Sequence, residues 1–481
     1  VSDAERALDV VVIGGGTAGM TAALAARHEG ARVALVESAG RLGGDCTYYG
    51  CVPSKAFVEL GHALADARRL AGLGVLGELG PADFGAVTAE QRRIVAEIAR
   101  DEHPERFTAA GIELVDGDAR FTGADRLQVG ERELRVRRFV IATGSQPTVP
   151  PIPGIESVAV YTNRTIFDVE TLPPRLLVVG AGAVGLELGQ VFARFGSRVV
   201  VVEQAERLLP QLDPEVGDVV RAALERDGVE LRLGRTISSL EPLSDGILVD
   251  TDGTTAVVDA VLVATGRGGS TAGLGLDVLG LETEQGFVPV DERCRTAVPH
   301  VYAAGDVTGT PNLTHVAAHE GAVAGRNAAG ARAKRDLRVL PNVVFVDPEV
   351  ASVGLTEAEA RERLGSRSVR VATLPMERVD RARIAGHADG FVKLVTARRR
   401  GLGWTGGGRL VGAQIVGRGA GELIHECALA IRVDAFAGRL AQTIHAYPTS
   451  SLAVQQAASR LFPLGRALVE GDDAPASPSA G

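Results

Sequence analysis

Twice in 481 residues the chain runs through one pattern: a short apolar run, a glycine-rich turn, a helical stretch, and a second apolar run ending on glutamate. The first copy begins at Asp9-Val-Val-Val-Ile13, turns at Gly14-Gly15-Gly16-Thr17-Ala18-Gly19, and ends with Val33–Val36 and Glu37. The second begins at Leu176–Val179, turns at Gly180-Ala181-Gly182-Ala183-Val184-Gly185, and ends with Val199–Val202 and Glu203. Such runs read as buried parallel strands joined by a crossover helix. In G-x-G-x-x-G the glycines make a tight turn and let the backbone approach a pyrophosphate. The acid about twenty residues on accepts from a ribose hydroxyl. Gly14, Gly16, Gly19 and Glu37, and then Gly180, Gly182, Gly185 and Glu203, therefore predict two dinucleotide sites. The bland alternative is one working copy and one decayed copy.

Between the copies lies Gly43-Gly44-Asp45-Cys46-Thr47-Tyr48-Tyr49-Gly50-Cys51-Val52-Pro53-Ser54-Lys55. The glycines turn the chain in and Pro53 stiffens it on the way out. A zinc reading is weak, because no second cysteine pair exists to complete a ligand set. A redox dithiol needs two sulfurs within bridging reach and something that stabilises a thiolate. Residues 54–71 carry an apolar stripe at helical spacing, and a helix N-terminus there would supply that stabilisation. Taken alone, the segment leaves open a structural bridge or two packed thiols.

The rest is coarser. Residues 62–110 predict two long helices with Pro81 and Gly85 between them. Residues 112–141 alternate like antiparallel strands. Ala142-Thr143-Gly144-Ser145 follows a buried run, and its small residues allow a close ligand approach. Pro147–Pro153 reads as a hinge and 315–330 as a helix. Residues 343–354, 390–396 and 410–417 predict an antiparallel sheet, with a helix over 420–433. Gly401–Gly408, which holds the only tryptophan, predicts a flexible hairpin.

Gly-Gly-x-Cys-x₄-Cys-Val-Pro-Ser-Lys, preceded by one glycine loop and followed by another, resembles the active-site segment of the class I pyridine nucleotide–disulfide oxidoreductases. Dihydrolipoamide dehydrogenase, glutathione reductase and mercuric reductase belong to that family. The resemblance covers roughly residues 8–465, with the motifs in the family's order. It implies an α/β fold with two Rossmann-like dinucleotide-binding domains, one for FAD and one for NAD(P), plus a C-terminal α+β interface domain that makes a homodimer. The implied boundaries are 1–150 for the FAD domain with its redox disulfide, 151–270 for the NAD(P) domain, 271–340 for the segment completing the FAD domain, 341–465 for dimerisation, and 466–481 for a disordered tail.

The same resemblance assigns roles. Cys46 would exchange with the acceptor and Cys51 would be the thiolate against the flavin. Lys55 would lie near the flavin and pair with Glu187. Gly44, Ala119, Thr143, Gly144 and Ser145 join the first loop in holding FAD, Asp306 would accept from its ribityl chain, and Gly266 closes the NAD domain. At Glu203 a carboxylate accepts from a ribose 2′-hydroxyl and repels a 2′-phosphate. NADH is therefore favoured over NADPH, although Arg207, four residues on, softens the preference.

Two departures stand out. The family continues its second Ala-Thr-Gly with Arg-x-Pro-Asn, whereas this chain has Arg267-Gly268-Gly269-Ser270. The family's C-terminal His-Pro-x₃-Glu supplies an acid/base to the partner subunit's interchange thiol. Here residues 445–452 read His-Ala-Tyr-Pro-Thr-Ser-Ser-Leu, with Tyr447 and Leu452 in place of the histidine and glutamate. A phenol lies about three and a half pKa units above imidazole and is a poor base at neutral pH. His445 is a substitute if the segment is extended, which would start its side chain on the same side as Tyr447. Mercuric reductase also lacks the dyad but uses C-terminal cysteines, and none follows Cys427 here. Cys294 and Cys427 read as packed thiols.

Composition closes off other classes. No run of eighteen apolar residues exists, so no membrane helix is expected. The polar start shows no signal peptide, and four cysteines make no disulfide framework, so a cytoplasmic location is expected. A net charge of −9, with no basic block longer than Arg398–Arg400, argues against nucleic acid. No metal site is expected. The sequence thus predicts an FAD-dependent NAD(P)H oxidoreductase whose Cys46–Cys51 disulfide passes electrons to a small molecule: a disulfide, metal ion, quinone or other electrophile. The alternatives are a specialised thiol oxidase or disulfide reductase using Tyr447, and a redox-sensing or structural flavoprotein with vestigial turnover.

Overall fold

The computed structural model describes residues 8–462. The polar start and the tail after Glu470 lie outside them. The chain divides into two compact units. The first comprises Val1–Gly180, Phe195–Ser197 and Ile237–Leu337, and the second Ala181–Arg194, Arg198–Thr236 and Arg338–Gly481.

In the first unit, strand Leu8–Ile13 pairs in parallel with Val33–Glu37 on one side and Arg132–Ile141 on the other. Strand Ile112–Asp116 extends the sheet beyond Val33–Glu37, and Val301–Ala303 pairs in parallel with Phe139–Ile141. Residues 112–141 are therefore not all antiparallel. Ala119–Gly123, Arg126–Val129 and the first half of Arg132–Ile141 form an antiparallel meander. The last three residues of the long strand, Phe139–Ile141, are wholly buried in the parallel sheet. One ten-residue strand thus serves two pairings, alternating where one face meets water and continuously apolar where both faces are covered.

Helix Thr17–His28 lies against helix Thr314–Ala328 at backbone contact. A Cβ on Gly321 would fall 2.3 Å from the Ala18 carbonyl oxygen, and one on Gly325 2.1 Å from that of Ala22. This close approach fixes where Thr314 begins its helix. Helix Cys51–Gly72 is anchored by Phe57, whose ring packs among Phe84, Phe167 and Phe195 at 5.7–6.1 Å. It starts earlier than the apolar stripe suggests. The next helix, Phe84–Ala99, is capped by Asp83, whose side chain accepts from Ala86 N at 3.1 Å. Gly85 consequently sits in the first turn rather than between two long helices, and a separate short helix spans Pro104–Ala109. Strand Arg175–Val179 pairs in parallel with Ala260–Val263.

In the second unit, Arg198–Glu203 pairs in parallel with Glu230–Leu233. A five-stranded antiparallel sheet runs in the order Asn342–Val344, Val350–Gly354, Arg409–Val416, Phe391–Ala397, Val369–Pro375. The predicted 343–354 strand is two strands. Val369–Pro375 had no counterpart in the sequence reading, because its short alternation carries charge on the open face. Residues of helices Ala420–Arg432 and Leu452–Ser459 join the sheet in one apolar core. Among the described residues no helix is long and apolar enough to cross a membrane.

Candidate active site

Gly43 and Gly44 both stand at positive φ and turn the chain into the short helix Gly44–Tyr48, which carries Cys46. After Gly50, Cys51 is the first residue of a 22-residue helix. Its sulfur therefore lies at the positive end of a helix dipole. Thr314, the first residue of its own helix, brings its hydroxyl to 3.1 Å from Cys51 Sγ and 3.3 Å from Cys46 Sγ. The Cys46 thiol is pushed well above the ordinary range, first by its hydrogen bond with Cys51 and then by burial, while Thr314 opposes the rise. Two sulfurs and one hydroxyl thus meet in one cluster, in which the contact with Cys51 and burial favour the protonated form of Cys46.

Around the first glycine loop, Gly14 stands at φ +104°, and a Cβ there would meet the Ala142 carbonyl oxygen at 2.4 Å. A Cβ on Gly19 would lie 1.7 Å from the Gly14 oxygen. Glu37 closes the loop, accepting from Gly15 N at 2.6 Å and Ala39 N at 2.7 Å. Thr143 Oγ1 is buried and has no hydrogen-bond partner among the described residues. A glycine cradle at a helix N-terminus beside an unsatisfied buried hydroxyl fits a pyrophosphate-bearing dinucleotide.

Asp306 Oδ2 accepts from Ser145 Oγ at 2.8 Å. Burial raises this carboxyl, with Ser145 and Arg267 pulling against the rise. Arg267 organises the neighbourhood. It donates to Ser145 Oγ at 2.6 Å, to Ser145 O at 2.8 Å and to Asn163 Oδ1 at 3.2 Å, and it pairs with Asp45. Arg164 holds Asp45 from another segment at 2.9 Å. Arg41 lies 3.7 Å over the Tyr48 ring and donates to the Tyr49 hydroxyl at 2.8 Å, so both tyrosines between the cysteines are held by packing. Lys55 lies half-buried one turn into the Cys51 helix. Ala119 begins a meander strand opposite Val129.

The structure brings Cys46, Cys51, the first glycine loop, Glu37, Gly44, Thr143, Gly144, Ser145, Gly266 and Asp306 into one unit. Thr314, Arg267 and Asp45 were not singled out from the sequence as site residues. Arg267 entered only as the start of a departing motif.

The second loop repeats the first. Gly180 stands at φ +101°. Glu203 accepts from Ala181 N at 2.7 Å and Ala205 N at 2.9 Å. Arg207 is turned onto its own loop, donating to Leu212 O at 3.2 Å and Pro210 O at 2.5 Å. Glu187 is 2% exposed and accepts from Phe345 N at 2.9 Å.

In the C-terminal segment His445 and Tyr447 have different surroundings and different partners. Tyr447 is 69% exposed and its hydroxyl donates to Asp380 Oδ2 at 3.1 Å, which raises the phenol. The His445 side chain is 7% exposed. Its ring lies 3.0 Å from Thr443 O through Nδ1 and 3.1 Å from Glu426 Oε2 through Nε2. Glu426, on helix Ala420–Arg432, thus holds the His445 imidazole in a largely buried place while the Tyr447 ring is exposed. Cys294 and Cys427 are buried thiols, each pushed up to about 12 mainly by burial.

Residues 8–321 match the family described as pyridine nucleotide-disulphide oxidoreductase, and residues 340–458 match its dimerisation domain. A mercuric reductase of Staphylococcus aureus is 35% identical over 430 residues, covering 88% of this chain and 77% of that one. Dihydrolipoyl dehydrogenase 2 of Haloarcula marismortui is 37% identical over 473 residues, covering 95% and 98%. The solved HOCl-induced flavoprotein disulfide reductase RclA of Escherichia coli superposes with a TM-score of 0.83 at 28% identity, covering 94% of this chain and 99% of that one.

Proposed function

This chain belongs to the pyridine nucleotide-disulphide oxidoreductase family, and from that premise we propose that it takes electrons from NADH and delivers them through Cys51 and Cys46 to a small electrophilic acceptor. The observation that carries the reading is the pair of sulfurs sharing the Thr314 hydroxyl at a helix N-terminus. FAD, when bound, accepts hydride from the nicotinamide and passes an electron pair to the sulfurs. The chain's own residues do the rest. Gly14, Gly16, Gly19 and Gly44 would admit the pyrophosphate, Glu37 the adenosine ribose, and Asp306 the ribityl chain. Ala119, Thr143, Gly144 and Ser145 would line the same cofactor, with Lys55 near its ring, and Gly266 would close the nicotinamide-binding domain. Cys51 holds negative charge at the dipole's positive end while Cys46 meets the acceptor.

NADH is the favoured donor because Glu203 would meet a 2′-phosphate while Arg207 is engaged with its own loop's carbonyls. A repulsive near-surface pair of that kind is worth about tenfold to a hundredfold in kcat/KM. Equal or better kcat/KM with NADPH would overturn the preference.

The acceptor follows from the departures. With tyrosine and leucine at 447 and 452, a broad acceptor range of the mercuric-reductase kind fits better than a dedicated lipoamide or glutathione enzyme. Steady-state NADH oxidation against metal ions, quinones and disulfides tests this. Efficient turnover confined to lipoamide would sink it. A second reading makes the protein a disulfide reductase or thiol oxidase in which Tyr447 replaces the histidine, favoured by the exposure of its hydroxyl-bearing ring. Reduction by NADH followed by no reoxidation with any member of the panel would instead favour a redox sensor.

A further inference from the structure

Reducing a disulfide acceptor requires protons for two departing thiolates. The first unit holds a titratable group that the electron path above leaves unused. Glu102 ends the short turn Arg100–Glu102 after helix Phe84–Ala99. Thr47, the residue after Cys46, is 1% exposed and its hydroxyl donates to Glu102 Oε1 at 2.9 Å. The other carboxylate oxygen, Oε2, is buried and has no hydrogen-bond partner among the described residues. It rests against the glycine turn before the cysteine helix, since a Cβ on Gly43 would lie 2.3 Å from it. A side chain at that position would evict the carboxylate.

A buried carboxylate oxygen with no donor is costly, and native structures keep few of them. Burial is the main influence on Glu102 and favours its protonated form. The Thr47 bond opposes this and the charge of Asp101 adds to it. The groups that feel Glu102 are on the dithiol side: its negative charge disfavours ionisation of both Cys46 and Tyr48. The cation facing the same cluster is Arg41, over the Tyr48 ring.

We propose that Glu102, held by Thr47, is the group that exchanges protons at Cys46, in place of an imidazole from residues 445–452. This rests on the disulfide-reducing branch of the proposed function. Cys46 attacks one acceptor sulfur as the thiolate, its proton having passed to solvent; the acceptor S–S bond breaks and a mixed disulfide forms. Protonated Glu102 gives its proton to the departing thiolate and regains one from solvent. Cys51, already a thiolate, then attacks the Cys46 sulfur, closing the internal disulfide and releasing the second thiolate, which Glu102 protonates in the same way. Two electrons leave the dithiol, and the acceptor takes two protons, one of them matched by the proton Cys46 gave up and one drawn from solvent. Glu102 ends protonated, as it began.

The test compares two disulfides on the full-length flavoprotein and its Glu102→Gln variant. Lipoamide releases alkyl thiolates that need a proton. A nitrobenzoate disulfide releases an aromatic thiolate that leaves without one. Glu102→Gln should slow lipoamide by about a hundredfold or more, within the range of general acid–base groups, and leave nitrobenzoate within about threefold. Thr47→Val should show the same selectivity at smaller size. Equal slowing of both disulfides, or of neither, would overturn the proposal. Failure of the wild type on both would instead reject the disulfide-reducing reading. Glu102 is then judged by iodoacetamide alkylation of Cys46 in a Cys51→Ser background. Removing the neighbouring negative charge should move the pH midpoint of alkylation downward, and an unmoved midpoint excludes Glu102 from the Cys46 proton.

Discussion

Thr47–Glu102 and Tyr447–Asp380 are the same kind of contact, a hydroxyl donating to a carboxylate, at 2.9 and 3.1 Å. Their surroundings reverse what the contact can do. At Glu102 the hydroxyl is sealed, one carboxylate oxygen has no donor among the described residues, and burial raises the carboxyl. At Tyr447 the ring is open to water and the carboxylate raises the phenol instead, so the proton stays on oxygen across the working pH range. With Glu102 acting as proposed, burial makes the first pair a group that exchanges protons, whereas the second is an exposed hydrogen bond within one chain. Proton chemistry then lies with the cysteine segment, and the C-terminal segment has no part in it.

The strongest check removes the sulfurs. Cys46→Ser should lower turnover of every disulfide by about a thousandfold or more, whatever its leaving group, while NADH still reduces the flavin. Cys51→Ser should abolish the long-wavelength thiolate–flavin absorbance of the two-electron-reduced protein. Retention of that band would mean that the roles of the two sulfurs are reversed.

A smaller effect is expected at Thr314. Its hydroxyl lowers the Cys46 thiol, so Thr314→Val should shift the thiolate titration upward. One hydrogen bond of about 1–1.5 kcal/mol corresponds to about one pH unit. The pH midpoint of Cys46 alkylation by iodoacetamide in a Cys51→Ser background reads this directly, and Thr314→Ser should restore the native midpoint. An unchanged midpoint in the valine variant would reduce Thr314 to a packing residue.

At the other region the expected consequence is structural. The His445 ring lies between two oxygen acceptors, Thr443 O and Glu426 Oε2. His445→Ala leaves a partly buried carboxylate without its partner. It should destabilise the protein by about 1–3 kcal/mol, read as a lower melting temperature. Flavin reduction by NADH should be unaffected. Loss of disulfide turnover without loss of stability would return His445 to the chemistry.

What was readable in the sequence and what was not divide along the same line. The glycine loops, the acids that close them and the Cys46–Cys51 segment are contiguous, and their function depends on local backbone geometry, so spacing reveals them. Thr314 is 268 residues from Cys46, Arg267 is 222 from Asp45, and Glu102 is 55 from Thr47. Nothing local marks them. Glu102 sits in Arg100-Asp101-Glu102-His103, which reads as a solvated charge run. Only the turn at Gly43 and the end of helix Phe84–Ala99 bring it against Thr47, the residue after Cys46. In the sheets, the meander misassignment arose because the long strand's two halves answer to different neighbours.

The smallest effect is the most discriminating. If proton exchange at Cys46 is local, Tyr447→Phe removes only an exposed hydrogen bond to Asp380, and lipoamide turnover should fall by less than about threefold. The Asp380 carboxylate holds the phenol above the ordinary tyrosine range, so the pH profile of turnover should be unchanged in shape. A loss of tenfold or more with lipoamide, absent with a quinone, would instead give Tyr447 the place of the family's histidine and leave Glu102 as a structural group. The paired substitution Tyr447→His with Leu452→Glu sharpens the choice. If the native route runs through Glu102, adding the dyad should rescue the slow lipoamide turnover of Glu102→Gln more than it accelerates the wild type. If the native route runs through Tyr447, the gain should be the same in both backgrounds, because the added histidine then replaces the phenol and not the carboxyl.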